Sequence, residues 1–467
     1  MYFKHYFEKG LAQNSFLIAC QATGEAIVID PRRDIDPYLE TARENGFTIK
    51  KIAETHIHAD FLSGSLELAA ATGADLFLSD EGGDDWQYRF AHVGLRDGDS
   101  ISVGNLRLDV MHTPGHTPEH ISFLLYDVPA GNEPMMIFTG DFVFVGDVGR
   151  PDLLEEAAGI ADTKVRGAKQ MFASLKRFRE LPGYVQVWPA HGAGSACGKA
   201  LGAVPASTVG YELATNWAFQ IDDEQAFVDE LLSGQPEPPY YFANMKTMNR
   251  AGADVLGELP DPPELEAEEL ARLQEEGAQV VDARSRYAYA GGHIPKSQSI
   301  PFDTGFSNWA GWTLSYERPI VLVAAPAERA EIVKMLVRIG LDQIEGYLPS
   351  IQPWADAGRP LVRIEQIEAT DLAPSLDQYA ILDVRSQSEF EDAHIPGAVN
   401  IHAGRLHRKQ EEIPSGRPLV VHCQSGYRSI IACGQLERMG ITNVRNLVGG
   451  FERWEQTAAS VTAGASA

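Results

Sequence analysis

Thr55-His56-Ile57-His58-Ala59-Asp60-Phe61 sets two imidazoles and a carboxylate on alternate positions of an extended segment. An apolar run, Ile52–Thr55, leads straight into it, so these polar side chains stand where a buried strand ends. Three later clusters repeat the arrangement. Leu106–Met111 runs toward Thr113-Pro114-Gly115-His116-Thr117, Met135–Thr139 into Gly140-Asp141, and Val185–Trp188 into Pro189-Ala190-His191-Gly192. Ser15–Ala19 and Ala26–Ile29 read as a strand pair, Ile121–Tyr126 as a further strand and Pro37–Asn45 as a helix. Strand ends in layered α/β folds are where polar side chains converge on a pocket. Residues 1–250 are therefore expected to form one layered α/β domain with a His/Asp centre.

A chain of 467 residues exceeds one compact core, and ordinary domain sizes suggest about three domains. With 44% hydrophobic and 22% charged residues the composition is that of a globular protein, so no disordered class is needed. A net charge of −26 argues against a nucleic-acid partner, because the surface repels a phosphate backbone before contact. Small anions are not excluded, since a few local Arg residues override an average. No run approaches the ~18 apolar residues that span a bilayer, and Met1–Gly10 lacks the apolar stretch of a secretory leader. Four scattered cysteines, Cys20, Cys197, Cys423 and Cys433, make no disulfide framework. A reduced, cytoplasmic protein is expected, with no membrane partner and with a homo-oligomer left open.

Beyond Gly257–Glu268, an acidic, proline-containing linker that leads into a helix, the chain repeats itself at an interval of about 100 residues. Val281-Asp282-Ala283-Arg284 answers Leu382-Asp383-Val384-Arg385, and Gly292-His293-Ile294-Pro295 answers Ala393-His394-Ile395-Pro396. Arg338-Ile339-Gly340 pairs with Arg438-Met439-Gly440, and Trp354 with Trp454. Two tandem α/β domains with parallel sheets are expected, over 251–360 and 361–460, before a small polar tail, Ser460–Ala467, that reads as frayed.

Taken in order, the four clusters of the first segment resemble the metallo-β-lactamase superfamily, whose fold is an αββα sandwich. Hydrolases of that superfamily usually read HxHxDH, the last His helping to hold a second metal. Here the position is Phe61, which has no lone pair to offer, so a two-zinc site is disfavoured. His56, His116 and Asp141 remain, and two imidazoles with one carboxylate and open positions favour non-haem Fe(II). The sequence is similar to the persulfide dioxygenase family, which carries this reduced set. That resemblance implies one Fe(II) per chain on His56, His116 and Asp141, with His58 and Asp60 around them. It also implies O2 and a low-molecular-weight thiol persulfide (of glutathione, coenzyme A or similar) as substrates, and sulfite as product. His191, without a second metal to serve, is expected to hydrogen-bond near the pocket. Gly149-Arg150-Pro151-Asp152 resembles the family segment whose Arg helps bind the thiol-bearing substrate, and a guanidinium fork suits a carboxylate. His5, His92, His112 and His120 are expected to be structural. Cys197 follows His191 in a glycine-rich loop, and fusions of one subgroup also have a Cys there, which suggests a relay of persulfide toward the iron.

In the last domain a buried strand, Leu419–His422, is followed by Cys423-Gln424-Ser425-Gly426-Tyr427-Arg428-Ser429 and an apolar helix, Ile430–Met439. A thiol at a strand-to-helix turn faces backbone N–H groups and the positive end of the helix. Those donors, with Arg428, should favour a thiolate or persulfide anion on Cys423 and could bind the oxyanion end of thiosulfate or sulfite. Gln424, Ser425, Gly426 and Tyr427 form the cradle. Cys-x-x-x-x-Arg on this scaffold resembles a rhodanese. Cys433 reads as core, His394 as a partner of its own turn, and His422 as pointing away from the thiol.

The middle domain places Ala324 where Cys423 stands, with Glu328 in the loop and no glycine. A methyl group cannot carry sulfur, so this module is expected to be inactive, with Arg329 leaving weak anion binding open.

The resemblance to a persulfide dioxygenase–rhodanese fusion implies sulfide detoxification with thiosulfate as the net product. Two alternatives stay open. In one, thiosulfate sulfur passes to glutathione and feeds the dioxygenase. In the other, the first domain is a zinc thioester hydrolase of the glyoxalase II type with sulfur carriers attached.

Overall fold

The computed structural model describes residues 1–153, 163–195, 197–198, 201–235 and 237–464. The chain divides into two compact units, Met1–Leu259 with Val337–Gly340, and Pro260–Leu336 with Leu341–Ala467.

The first unit holds two six-stranded sheets. One runs in spatial order Tyr2–Glu8, Gln13–Ala19, Glu25–Ile29, Thr48–Ala53, Asp75–Ser79, Val93–Leu95, antiparallel for its first three strands and parallel thereafter. The other runs Ser207–Thr208, Gln186–Pro189, Met136–Gly140, Ile121–Asp127, Leu106–His112, Ser100–Val103. Strand alternation explains how the sheets stack. Phe16, Ile18, Ile27 and Ile29 point toward Leu108, Val110, Phe123 and Phe138 of the other sheet and form the core between them. Their neighbours Leu17, Ala19, Ala26 and Val28 face the opposite way, onto Tyr38 of helix Asp36–Asn45 and Leu68 of helix Ser65–Thr72. Helices Thr163–Phe178 and Glu224–Leu232 cover the outer face of the second sheet. Layers of helix, sheet, sheet and helix make the expected αββα sandwich. Sheets covered on both faces need apolar residues on both, which is why these strands read as continuous hydrophobic runs.

The second unit contains two all-parallel sheets. The four-stranded one is ordered Gln298–Ser299, Gln279–Asp282, Ile320–Val323, Ile344–Leu348. The five-stranded one is ordered Glu365–Ile367, Val444–Leu447, Leu419–His422, Ala380–Asp383, Val399–Asn400. These are the two repeats, each an α/β layer, as expected. They fall into a single unit because Tyr289 and Trp309 of the middle repeat pack into the apolar cluster that contains Cys423 and Cys433.

Two local expectations shift. The helix after Cys423 spans Tyr427–Arg438, starting three residues early, because Gly426 takes φ +90° and turns the loop directly into it. The last helix continues to Gly464 past the expected fraying point at Ser460, in keeping with its alanine content, and residues 465–467 of the expected tail lie outside the described residues. No helix among the described residues is long and apolar enough to cross a membrane.

Candidate metal centre and sulfur-carrying loop

In the first unit His56, His116 and Asp141 meet, with one ligand atom of each inside a group no wider than 4.8 Å. All three are buried. His116 Nδ1 lies 2.8 Å from the Arg150 carbonyl, which can only accept, so Nδ1 carries the proton. Its Nε2 then turns a lone pair toward Asp141 Oδ2, 3.5 Å away. Burial, and then the neighbouring imidazoles, hold His56 neutral well below the usual histidine range, and burial lowers His116 against the pull of Asp141. His56 Nε2 and both Asp141 side-chain oxygens have no hydrogen-bond partner among the described residues. Lone pairs facing a carboxylate in a dry site repel one another unless a cation lies between them, so this donor set fits a divalent metal.

Residues outside this triad hold it in place. The backbone N–H of Asp141 donates to His120 Nε2 at 3.0 Å, and His120 Nδ1 meets Thr113 Oγ1 at 2.8 Å. Gly140 takes φ +52°, and a Cβ there would lie 2.6 Å from both His120 Nε2 and Thr55 Oγ1, so the strand end requires glycine. Asp30 accepts the Thr55 N–H and hydroxyl at 2.8 and 2.9 Å and meets His58 Nε2 at 3.1 Å. Burial alone would lower His58, but the charge of Asp30 raises it to about 9. His58 lies outside the group that His56, His116 and Asp141 form, with its Nε2 turned onto Asp30. Glu119 accepts the Ile57 N–H at 2.8 Å, and the Asn249 side-chain amide donates to the carbonyls of His58 and Phe61. The sequence reading missed Asp30, Glu119 and Asn249 and gave His120 only a structural role. Asp30 follows the apolar strand Ala26–Ile29, the signal that found the other clusters.

Arg150 is buried, and its fork grips Asp152, Nε to Oδ1 at 2.8 Å and Nη2 to Oδ2 at 2.5 Å. Its carbonyl orients His116, while the guanidinium that the sequence offers to an anionic substrate is forked onto Asp152. Phe61 packs on His58 with ring centroids 4.4 Å apart. Asp60, His191 and Cys197 form a second buried group whose ligand atoms also lie within 4.8 Å of one another. Burial, and then the carboxylates of Asp141 and Asp60, push the Cys197 thiol well up.

In the second unit Cys423 follows the strand Leu419–His422 with its side chain buried, and the Gly426 N–H donates to Sγ at 3.1 Å. The loop is held from behind. Phe451 N–H donates to the Cys423 carbonyl at 2.7 Å, and Glu452 N–H to the Gln424 carbonyl at 3.1 Å. Gln424 Oε1 accepts from Arg385 at 3.3 Å, and Arg385 is itself forked onto Asp383. Ser425 is exposed at the loop tip. The Tyr427 hydroxyl donates to Asp303 Oδ1 at 3.0 Å, so the middle repeat touches the loop. Arg428 forms a two-bond clamp with Glu389. His394 bonds the Phe390 carbonyl of its own turn at 2.9 Å, and His422 lies 3.5 Å from Asp383. At the matching point of the middle repeat Ala324 is buried, and Arg329 pairs with Asp261 at 2.7 Å and with the Pro262 carbonyl at 2.8 Å. The anion binding left open for Arg329 would have to compete with both.

Comparison with known proteins agrees with this architecture. The metallo-beta-lactamase superfamily model matches residues 9–191, and the rhodanese-like domain model matches 266–357 and 368–457. A hydroxyacylglutathione hydrolase from Rhodospirillum rubrum is 34% identical over 38% of this chain, a match that spans 60% of that enzyme's length. A mitochondrial persulfide dioxygenase from Bos taurus is 29% identical over 40% of this chain and 67% of its own. A solved metallo-beta-lactamase structure from Staphylococcus aureus is 45% identical, with a TM-score of 0.70, and covers 74% of this chain and 98% of its own. The chain thus consists of a metallo-β-lactamase-superfamily domain followed by two rhodanese-like domains.

Proposed function

We propose that the first domain is a non-haem Fe(II) persulfide dioxygenase and that the last domain is a sulfurtransferase working on the same sulfur. The observation that carries this reading is the buried triad of two imidazoles and one carboxylate, with an aromatic ring at position 61. Similarity to the Bos taurus persulfide dioxygenase supports it. His56, His116 and Asp141 would hold the iron, which would supply dioxygen activation when bound. The protein's own part is to keep both imidazoles neutral, to fix His116 through the Arg150 carbonyl and Asp141 through His120, and to exclude bulk water. The overall step balances: a thiol persulfide, O2 and water give the free thiol, sulfite and two protons.

At Cys423 a second persulfide transfers its outer sulfur and leaves as free thiol. Sulfite then attacks that sulfur, breaks the Cys423 S–S bond and departs as thiosulfate. The Gly426 N–H, aimed at Sγ, steadies the negative charge before and after transfer. The middle domain, with Ala324, carries no sulfur and serves as a wall beside Tyr427.

A second reading has specific support. The additional donors Asp60, His191 and Cys197, with the hydroxyacylglutathione hydrolase relative, favour a metal-dependent thioester hydrolase. Anaerobic purification, metal analysis and oxygen uptake on glutathione persulfide test the two together. One iron per chain with stoichiometric oxygen uptake is expected. Zinc with thioesterase activity and no oxygen uptake would replace the first reading with the second.

A further inference from the structure

Arg428, the arginine of the Cys423 loop, has both prongs of its fork on Glu389. A second guanidinium stands at the same loop, and the middle repeat supplies it. The Tyr427 hydroxyl donates to Asp303 Oδ1 at 3.0 Å, and a Cβ on Gly305 would lie 3.5 Å from that hydroxyl, so the segment after Phe302 borders the loop. Arg286 is near enough for its charge to act on the Tyr427 phenol, opposing the rise that burial and then Asp303 impose. Its guanidinium donates to the Tyr287 hydroxyl at 2.9 Å and lies 4.9 Å from the centre of that ring, which is 74% exposed. Among the described residues it forms no ion pair with a carboxylate. Arg286 also opens the helix Arg286–Gly291, where a positive charge opposes the helix dipole. The last repeat has the neutral Gln387 at the matching position. Fold stability gives no reason for a cation here, and residues that oppose local stability concentrate at functional sites.

We propose that Arg286 is a specificity-determining residue for the Cys423 loop, receiving a carboxylate of the thiol that carries the persulfide. The inference rests on the sulfurtransferase reading of Cys423 and names the side of the site that tells donors apart. Thiosulfate is small enough to be held by the loop N–H groups alone. A peptide thiol extends past the loop tip, where Ser425 is exposed and Tyr427 meets the middle repeat. A guanidinium with N–H groups to spare, steadied by an aromatic ring, suits a carboxylate in two parallel bonds. The module that cannot carry sulfur, with Ala324 at its strand end, thus keeps a part in choosing the donor.

Sulfur transfer by the full-length protein tests this, measured anaerobically so that no oxidation consumes the persulfide. With sulfite as acceptor, thiosulfate formation is followed from glutathione persulfide, which has carboxylates, and from mercaptoethanol persulfide, which has none. Thiosulfate-to-cyanide transfer gives the inorganic reference. Arg286→Gln should lower kcat/KM for glutathione persulfide about tenfold relative to either other donor, through KM, the loss of one charged contact. Arg286→Lys should recover most of that selectivity. Equal losses on all three donors would mark a structural role and overturn the inference. Unchanged selectivity, with Cys423-dependent transfer intact, would overturn it alone. If Cys423→Ser matched the wild type in thiosulfate formation, the sulfurtransferase reading would fall and the inference with it.

Discussion

Glu389 holds Arg428 through two parallel hydrogen bonds, Nη1 to Oε2 at 2.6 Å and Nη2 to Oε1 at 2.7 Å. The arginine of the Cys423 loop is thus fixed by the helix Gln387–Asp392, whose capping box places Glu389. Burial alone would raise this carboxyl, but Arg428 brings it from 4.5 down to about 2. A depressed acid contributes stability that is complete above the unfolded value and is lost as pH falls through the folded one. The stability gap between wild type and Glu389→Gln should therefore stay constant above pH 4.5 and close toward pH about 2, as read by denaturant midpoints across that window. At neutral pH the variant should raise KM for thiosulfate by about tenfold, the effect of ~1.4 kcal/mol, with metal content unchanged.

The two chemistries should separate by mutation. Asp141→Ala should abolish oxygen uptake and iron binding while leaving sulfur transfer from thiosulfate to cyanide intact. Cys423→Ser should do the reverse and turn the persulfide product from thiosulfate into free sulfite, measurable by chromatography of the reaction mixture. A folded variant that lost both activities would refute the two-site scheme.

Restoring a thiol to the middle repeat should not restore transfer. Ala324→Cys in a Cys423→Ser background places sulfur at the right strand end, but Arg329 is committed to Asp261 and no glycine offers its N–H to the sulfur. Sulfur transfer to cyanide should remain at the level of Cys423→Ser alone.

Gly450 should tolerate no side chain. Its φ is +61°, and a Cβ would lie 2.3 Å from the Cys423 carbonyl oxygen and 2.7 Å from that of Gln424. Gly450→Ala should cost on the order of 2 kcal/mol or more and lower sulfur transfer, while oxygen uptake by the first domain persists. Thermal unfolding and the two assays check this together.

Much of the fold was legible because its signals are local. Apolar runs ending in His or Asp marked the strand ends of the first domain, and paired Asp-x-Arg motifs exposed the repeat. The two Asp-x-Arg pairs do the same work, Arg284 forked onto Asp282 and Arg385 onto Asp383. What stayed hidden depends on contacts across the chain. Asn249 ties down a loop 188 positions earlier through the Phe61 carbonyl, and no spacing rule announces it. The charge of Arg150 points to anion binding, but no sequence rule announces that its fork meets Asp152 or that its carbonyl meets His116. In the sequence Cys197 is a single thiol in a glycine-rich loop, which suggests a persulfide relay. Only folding sets it against Asp60 and His191.

The backbone bonds from Phe451 and Glu452 to the carbonyls of Cys423 and Gln424 make the final helix a keystone for the sulfur-bearing turn. Mechanical disturbance of that helix, by a fused tag or by proteolytic trimming, would be felt at the thiol as slack. The position of an affinity tag therefore becomes a kinetic variable for this protein, with the amino-terminal end the safer attachment point for comparing sulfur-transfer rates.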